Sequence, residues 1–403
     1  MNDERRAVLA GVLTGAVAGL AGCADVGGVV GDGRFGSDDE PSSGDDAGAD
    51  ADETGADETG FDADDAGSVD VPVADEPLYL AYDVAELRRS SLSGGVGQDG
   101  IPSVDEPRFR PIAEANLDDG EPVFGVVRNG EARAYPQYVL VFHEIVNDVI
   151  GGEPVAVTYC PLTGTAQGFE RGESEFGVSG RLVNSNLIMY DRATESRWPQ
   201  MLATGIDGPM AGATLREFRV VWTTFGEWRA AHPDSEILTE DTGHARRYGN
   251  DPYGSYDPLE RYYRSDSTMF RPLSTPDRGH RKSVVIGART GDGAIAFDKE
   301  TLLAERVLEG TVPDGGDTPG SGSAVVAVAE PTLSTGYVYR NPDGLAVDPD
   351  GSRYRIDGHS GAFGAPDLPL DRVLAFDAMW FAWAGFYPDT AFVGEHTEAG
   401  YGR

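Results

Sequence analysis

From residue 77 to residue 403 the apolar positions fall in short runs of Val, Ile, Tyr and Phe, each cut off by Gly, Asn or Asp. Runs of that length between turn formers predict strands. Arg128-Asn129-Gly130-Glu131 predicts a tight hairpin, because Asn-Gly tolerates the positive φ angles such a turn requires. Two stretches predict helices instead: Tyr138 to Val149, where Val141, Ile145 and Val149 recur at spacing four, and Thr224 to Ala231. Asp191-Arg192-Ala193-Thr194 reads as a turn, and Trp198, Trp228 and Trp383 read as core. The predicted class is α+β and β-rich.

The pattern also returns. Val123-Phe124-Gly125, Ala134-Tyr135-Pro136 and Leu140 recur 162 residues later as Val285-Ile286-Gly287, Ala296-Phe297-Asp298 and Leu302. Glu153 to Val157 has a counterpart in Ala324 to Val328. Trp228 with Pro233-Asp234-Ser235 is echoed, at the same spacing, by Trp383 with Pro388-Asp389-Thr390. These matches predict two related halves from an internal duplication. The first half spans residues 77–238, a connector rich in Tyr, Arg, Pro and Gly spans 239–282, and the second half spans 283–403.

Ahead of residue 77 the pattern changes twice. Arg5-Arg6 precedes an apolar stretch from Ala7 to Leu20 that is too short to cross a bilayer as a helix. Leu20-Ala21-Gly22-Cys23 resembles a lipobox, and the paired arginines resemble a twin-arginine export signal. Residues 1–22 therefore read as a signal and Cys23 as the lipidated first residue. That reading places the protein on the extracytoplasmic face of the cell membrane, with the membrane as a partner through the lipid. Residues 23–76 read as a disordered acidic tether, since residues 31–76 hold 17 Asp or Glu against one Arg.

Acidity is not confined to the tether, for the whole chain carries a net charge of −36. Such an excess with few lysines resembles halophilic proteins, whose surfaces stay hydrated in strong brine. With no basic stripe to neutralise phosphates, it excludes nucleic acid as a partner.

Cys160 is the one thiol left after Cys23, and it closes the apolar run Val157-Thr158-Tyr159-Cys160-Pro161. A lone thiol outside the cell is inert core, an intermolecular bridge, a metal ligand or a nucleophile. Comparison of the halves narrows the choice. His143 stands opposite Glu305, Cys160-Pro161 stands opposite Glu330-Pro331, and the arm from Phe176 to Asp191 is much shorter in the second half. Residues that only the first half carries are candidates for chemistry, so Cys160 and His143 become the candidate pair. Tyr159, Thr163, Asn184, Asn186 and Asp191 are candidate binding residues around them.

The chain resembles the domain of unknown function 3179 family. The resemblance rests on Asp99-Gly100-Ile101-Pro102, Ala134-Tyr135-Pro136, His143 through Asp148, Val157 through Leu162, and Asn184 through Arg192. It implies no activity, substrate or cofactor. The family pattern often reads Cys-Pro-Leu-Cys, and Thr163 stands here at the second thiol, which removes an intramolecular disulfide cycle.

Three functions stay open on the residues alone. A metal- or small-ligand-binding or redox module would use Cys160 and His143, with Met189 as a further ligand in a set that suits copper or another soft metal. A cysteine-dependent hydrolase or transferase would use His143 to activate Cys160, with Asn147 or Glu144 orienting the ring, although Pro161 removes the nearest oxyanion donor. A non-catalytic surface protein would bind other envelope proteins. His244, His280 and His359 could complete a metal site, but no spacing favours them.

Overall fold

The computed structural model describes residues 71–314 and 321–395. The signal read at 1–22, the lipidation of Cys23 and the tether up to residue 70 lie outside the described residues. The last residues read as tether lie inside them. Val71 is buried and Val73 bridges antiparallel to Leu215, so the chain already packs on the first half before residue 77.

The architecture is β-rich, with a few helices of four to seven residues. In the first half, Pro122–Arg128 and Glu131–Pro136 form the expected hairpin through Asn129 and Gly130, whose φ angles are 48° and 82°. Val221–Thr224 pairs antiparallel outside the first strand, and Glu236–Leu238 pairs parallel outside the second. A second sheet is the meander Ile145–Ile150, Glu153–Cys160 and Thr165–Glu170, with Glu217–Phe218 at its far edge. The third sheet carries the long hairpin Phe176–Val183 and Asn186–Asp191, flanked by Leu92–Ser93 and Arg197–Pro199.

The second half runs through the same order of elements. Val284–Arg289 and Ala294–Asp298 form a hairpin, flanked antiparallel by Ala375–Met379 and parallel by Ala391–Val393. Val307–Pro313, Gly322–Glu330 and Thr335–Arg340 form the meander, edged by Arg372–Val373. Only Val347–Asp350 and Arg353–Ile356 stand where the first half has its third sheet. Trp228 donates from Nε1 to Ser235 Oγ at 3.1 Å, and Trp383 donates from Nε1 to Thr390 Oγ1 at 3.0 Å.

One expected helix fails. The helix after the first hairpin stops at Leu140, and Ile145–Ile150 is a strand paired with Glu153–Cys160, not the end of a helix from Tyr138 to Val149. Glu144 sits at φ 59°, which no continuing helix allows, and β-branched Ile145, Val146, Val149 and Ile150 favour the pleated surface. The Gly151-Gly152 turn then sends the chain back. Spacing of four fits either period, so it could not decide between them. The helix at Phe225–Ala231 forms as expected, with Thr224 as its N-cap in a full capping box.

Two buried ion pairs join the halves. Arg289 donates to Glu217 at 2.7 Å, and both side chains are almost entirely out of water. Arg219 bonds Thr335 and the backbone of Ala375 and Gly336, beside the Asp377 carboxylate that Lys299 grips at 2.5 Å. Among the described residues no helix is long and apolar enough to cross a membrane.

Candidate functional site

Cys160 ends the central strand of the first meander, and Pro161 to Gly164 turns the chain back so that Cys160 pairs with Thr165. The corresponding turn of the second half pairs Glu330 with Thr335, which puts Glu330 at the position of Cys160. The sulfur is sealed. Cys160 is 1% exposed, Leu187 N–H donates to Sγ at 3.4 Å, and Sγ lies 3.8 Å from the Ser185 carbonyl. Burial, reinforced by the nearby Glu144 carboxyl, pushes the thiol up to about 11. A thiol held protonated and out of solvent is a poor nucleophile and a poor ligand.

His143 is also fully buried, and both ring nitrogens are engaged elsewhere. Nδ1 lies 2.8 Å from the Pro102 carbonyl, which can only accept, so Nδ1 carries the proton and donates. Nε2 then accepts from Tyr248 Oη at 2.8 Å, and Tyr248 Oη lies 2.6 Å from Thr242 Oγ1. Burial lowers the imidazole to about 4, against the bond to Pro102 and with help from His244 and Arg246, so the ring is neutral. The expected Cys160–His143 pair is therefore not hydrogen-bonded: the imidazole serves Pro102 and Tyr248, and the ionisable group acting on the sulfur is Glu144. Glu144 is itself buried, and burial raises it to about 8.

The remaining candidates divide between core and a different centre. Asn184 sits in a turn at φ 55°, donating to the Ala382 carbonyl at 2.7 Å and accepting from Leu273 N–H at 2.9 Å. Asn186 donates to Thr163 Oγ1 and Gln200 Oε1 and accepts from Met201 N–H. The two asparagines thus brace separate loops and do not share a strand face. Asp191 holds its own turn, accepting from Thr194 N–H and Trp198 Nε1. Met189 packs in the core. Among the described residues no group of three or more His, Cys, Asp and Glu is placed to hold a metal ion.

Tyr159 leads to the other centre. Neighbouring residues on a strand face opposite ways, so Tyr159 turns from Cys160 toward the connector. Its hydroxyl lies 2.9 Å from Tyr256 Oη and accepts from Gln137 Nε2 at 3.3 Å. Gln137 Nε2 also reaches Asp251 Oδ2 at 2.9 Å, and Tyr263 donates to the same oxygen at 2.9 Å. Tyr256 and Tyr263 stack with ring centres 3.8 Å apart, and Trp222 meets Tyr256 edge-on at 5.3 Å.

Gln137, Asp251 and Tyr256 of this network line a cavity of about 500 Å³ between the first half and the connector. Gln137 and Tyr138 come from the helix after the first hairpin, Asp118 and Glu121 from the loop before it, and Tyr248, Asp251, Tyr256 and Asp257 from the connector. His143 reaches the cavity only through Tyr248. Sequence reasoning passed over Gln137, Glu121 and Asp251, and read the connector as linkage. The available signal was the density of Tyr and Asp from Tyr248 to Tyr263, unusual for a tether between halves.

Residues 98–390 match the family described as Protein of unknown function (DUF3179), and the chain belongs to that family. Comparison with curated proteins and with solved structures gave no match.

Proposed function

We propose that this protein is a small-ligand-binding module, tethered by a lipid on Cys23 to the extracytoplasmic face of the membrane, and built from two copies of one β-rich unit. The observation that carries the reading is the cavity of about 500 Å³, within the usual size for small-molecule sites and walled by tyrosines, a glutamine and carboxylates. It draws its residues from the five-stranded sheet of the first half, the helix after the hairpin, the loop before it and the connector. Cys160 and His143 then act as supports: Cys160 fills the core beneath the Asn186 hairpin, and His143 fixes Tyr248 in the cavity wall.

The same order of elements in both halves, and the Arg5-Arg6 and Leu20-Ala21-Gly22-Cys23 patterns, support the duplication and the anchor respectively. Redox or nucleophilic use of Cys160 has less support, because the sulfur is protonated and enclosed.

A fragment screen by ligand-observed NMR on the full chain tests the reading, with Gly249→Trp as the blocked variant. Gly249 lines the cavity and a β-carbon there meets nothing within 4 Å, so the indole has room to enter without disturbing the backbone. Fragments that bind wild type and fail to bind a cooperatively folded Gly249→Trp support the proposal. Hits indifferent to that substitution, or no hits, overturn it.

A further inference from the structure

We infer that the ligand of this cavity is an organic cation, an ammonium or guanidinium group on a short carbon chain; this rests on the cavity being a binding site. The walls offer acceptors and few free donors. Asp118, Glu121, Glu240, Asp251 and Asp257 line the space, with Arg110 as the one cationic side chain among the described residues. Gln137 adds a sharper sign. It is 4% exposed, its amide nitrogen is committed to Asp251, Tyr159 and Tyr263, and its carbonyl oxygen makes no hydrogen bond among the described residues. The oxygen is not among the atoms that are both sealed from water and unpaired, so it opens on the cavity, and a donor-bearing ligand there would take the place of water on it.

The electrostatics agree. Burial raises Glu121, and Asp118 and Asp257 raise it further, while burial raises Asp251 despite its hydrogen bonds. Carboxylates held close together and partly dry gain most from a cation placed among them. Three tyrosines, Tyr138, Tyr248 and Tyr256, add rings against which a cation can rest.

The second half supplies an internal precedent. Lys299 opens its helix after the hairpin strand Ala294–Asp298, at the position Gln137 holds after Glu131–Pro136. There a tethered ammonium is already present, buried on Asp377, which takes the place of Trp222 in the flanking strand. The first half has the shorter, neutral Gln137 and an open space beside it. With Trp222 at the place of Asp377, the carboxylates available to an outside ammonium are those that line the cavity beside Gln137.

Putrescine, 1,4-butanediol and succinate share a four-carbon chain and differ in charge, so calorimetric titration of the full chain with each separates the classes. Putrescine should bind, the diol should bind at least roughly tenfold more weakly, and succinate should not bind. Glu121→Gln and, independently, Asp251→Asn should each weaken putrescine roughly tenfold, and Gly249→Trp should abolish its binding. Two substitutions guard against one that fails to fold. Equal or tighter binding of the diol or succinate, or putrescine binding unchanged in Gly249→Trp, overturns the inference. If none of the three binds while other fragments still occupy the cavity, the ligand class is wrong and the binding site stands; if nothing occupies it, both fall.

Discussion

Trp228 lies against the bare backbone of Gly125 so closely that a β-carbon on Gly125 would come within 2.0 Å of the indole ring. The hairpin strand must pass directly beneath the helix that carries Trp228, and only glycine permits it. Gly287 and Trp383 stand in the same relation in the second half. Gly125→Ala should therefore cost about 3 kcal/mol, the range for overpacking a tight core, read as a lower denaturant midpoint. Gly97→Ala, where the added carbon meets nothing, should change the midpoint little. Similar midpoints for the two variants would show that the indole can move aside.

The Glu217–Arg289 pair crosses between the halves with both charges buried. Gln167 Nε2 also donates to Glu217 at 2.9 Å, which does not replace the lost guanidinium. Arg289→Met should cost about 3–5 kcal/mol, since it leaves a carboxylate unpaired in the interior. Adding Glu217→Gln should recover much of that loss, because the penalty belongs to the stranded charge and not to the missing attraction. A double variant no more stable than Arg289→Met would contradict this account, with equilibrium unfolding as the measurement.

How far the sequence reveals this arrangement depends on the range of the interaction. The Asn129-Gly130 hairpin and the helix read from Thr224 to Ala231 are local, and both were legible from nearby residues. The spacing of Val141, Ile145 and Val149 misled, because neither the end of the helix at Leu140 nor the positive φ at Glu144 leaves a mark in composition. Comparing the halves singled out Cys160 and His143 as unshared. Being unshared, however, does not distinguish a reactive group from a different way of filling the core. The cavity depends on Gln137 meeting Asp251 across 114 positions, a pairing that neither period nor motif encodes.

Cys160 should behave as an enclosed thiol. A shift from 9.0 to about 11 lowers the thiolate population roughly 100-fold near neutral pH, before any allowance for access. With Cys23→Ser removing the other cysteine, an alkylating reagent should label native protein far more slowly than a small-thiol standard. Unfolded protein should react at the standard's rate. Fast stoichiometric labelling of the native chain would mean that the sulfur reaches solvent. It would return Cys160 to consideration as a nucleophile.

The contributions of His143 and Glu144 to stability should offset each other from about pH 4.5 to 6.5, because these adjacent residues titrate in opposite senses. His143 drops from 6.5 to about 4 on folding, so the unfolded chain takes up the extra proton between those values, and the stability His143 contributes is lost as pH falls. Glu144 climbs from 4.5 to about 8, so the folded chain holds the extra proton, and the stability it contributes is lost as pH rises. Between about 4.5 and 6.5 the two slopes, each about 1.4 kcal/mol per pH unit, cancel. Above 6.5 His143 adds no further slope, and Glu144 alone would cost about 2 kcal/mol by pH 8, partly offset above about pH 7 by Lys282, whose ammonium is lowered by burial from 10.5 to about 7. Glu144→Gln should remove the falling contribution, so that wild type loses stability relative to the variant by about 1.4 kcal/mol per pH unit between about 4.5 and 8. Unfolding free energies measured across pH 4.5 to 8 in both proteins decide the matter: parallel profiles would show that Glu144 is ionised in the folded state and that water reaches it.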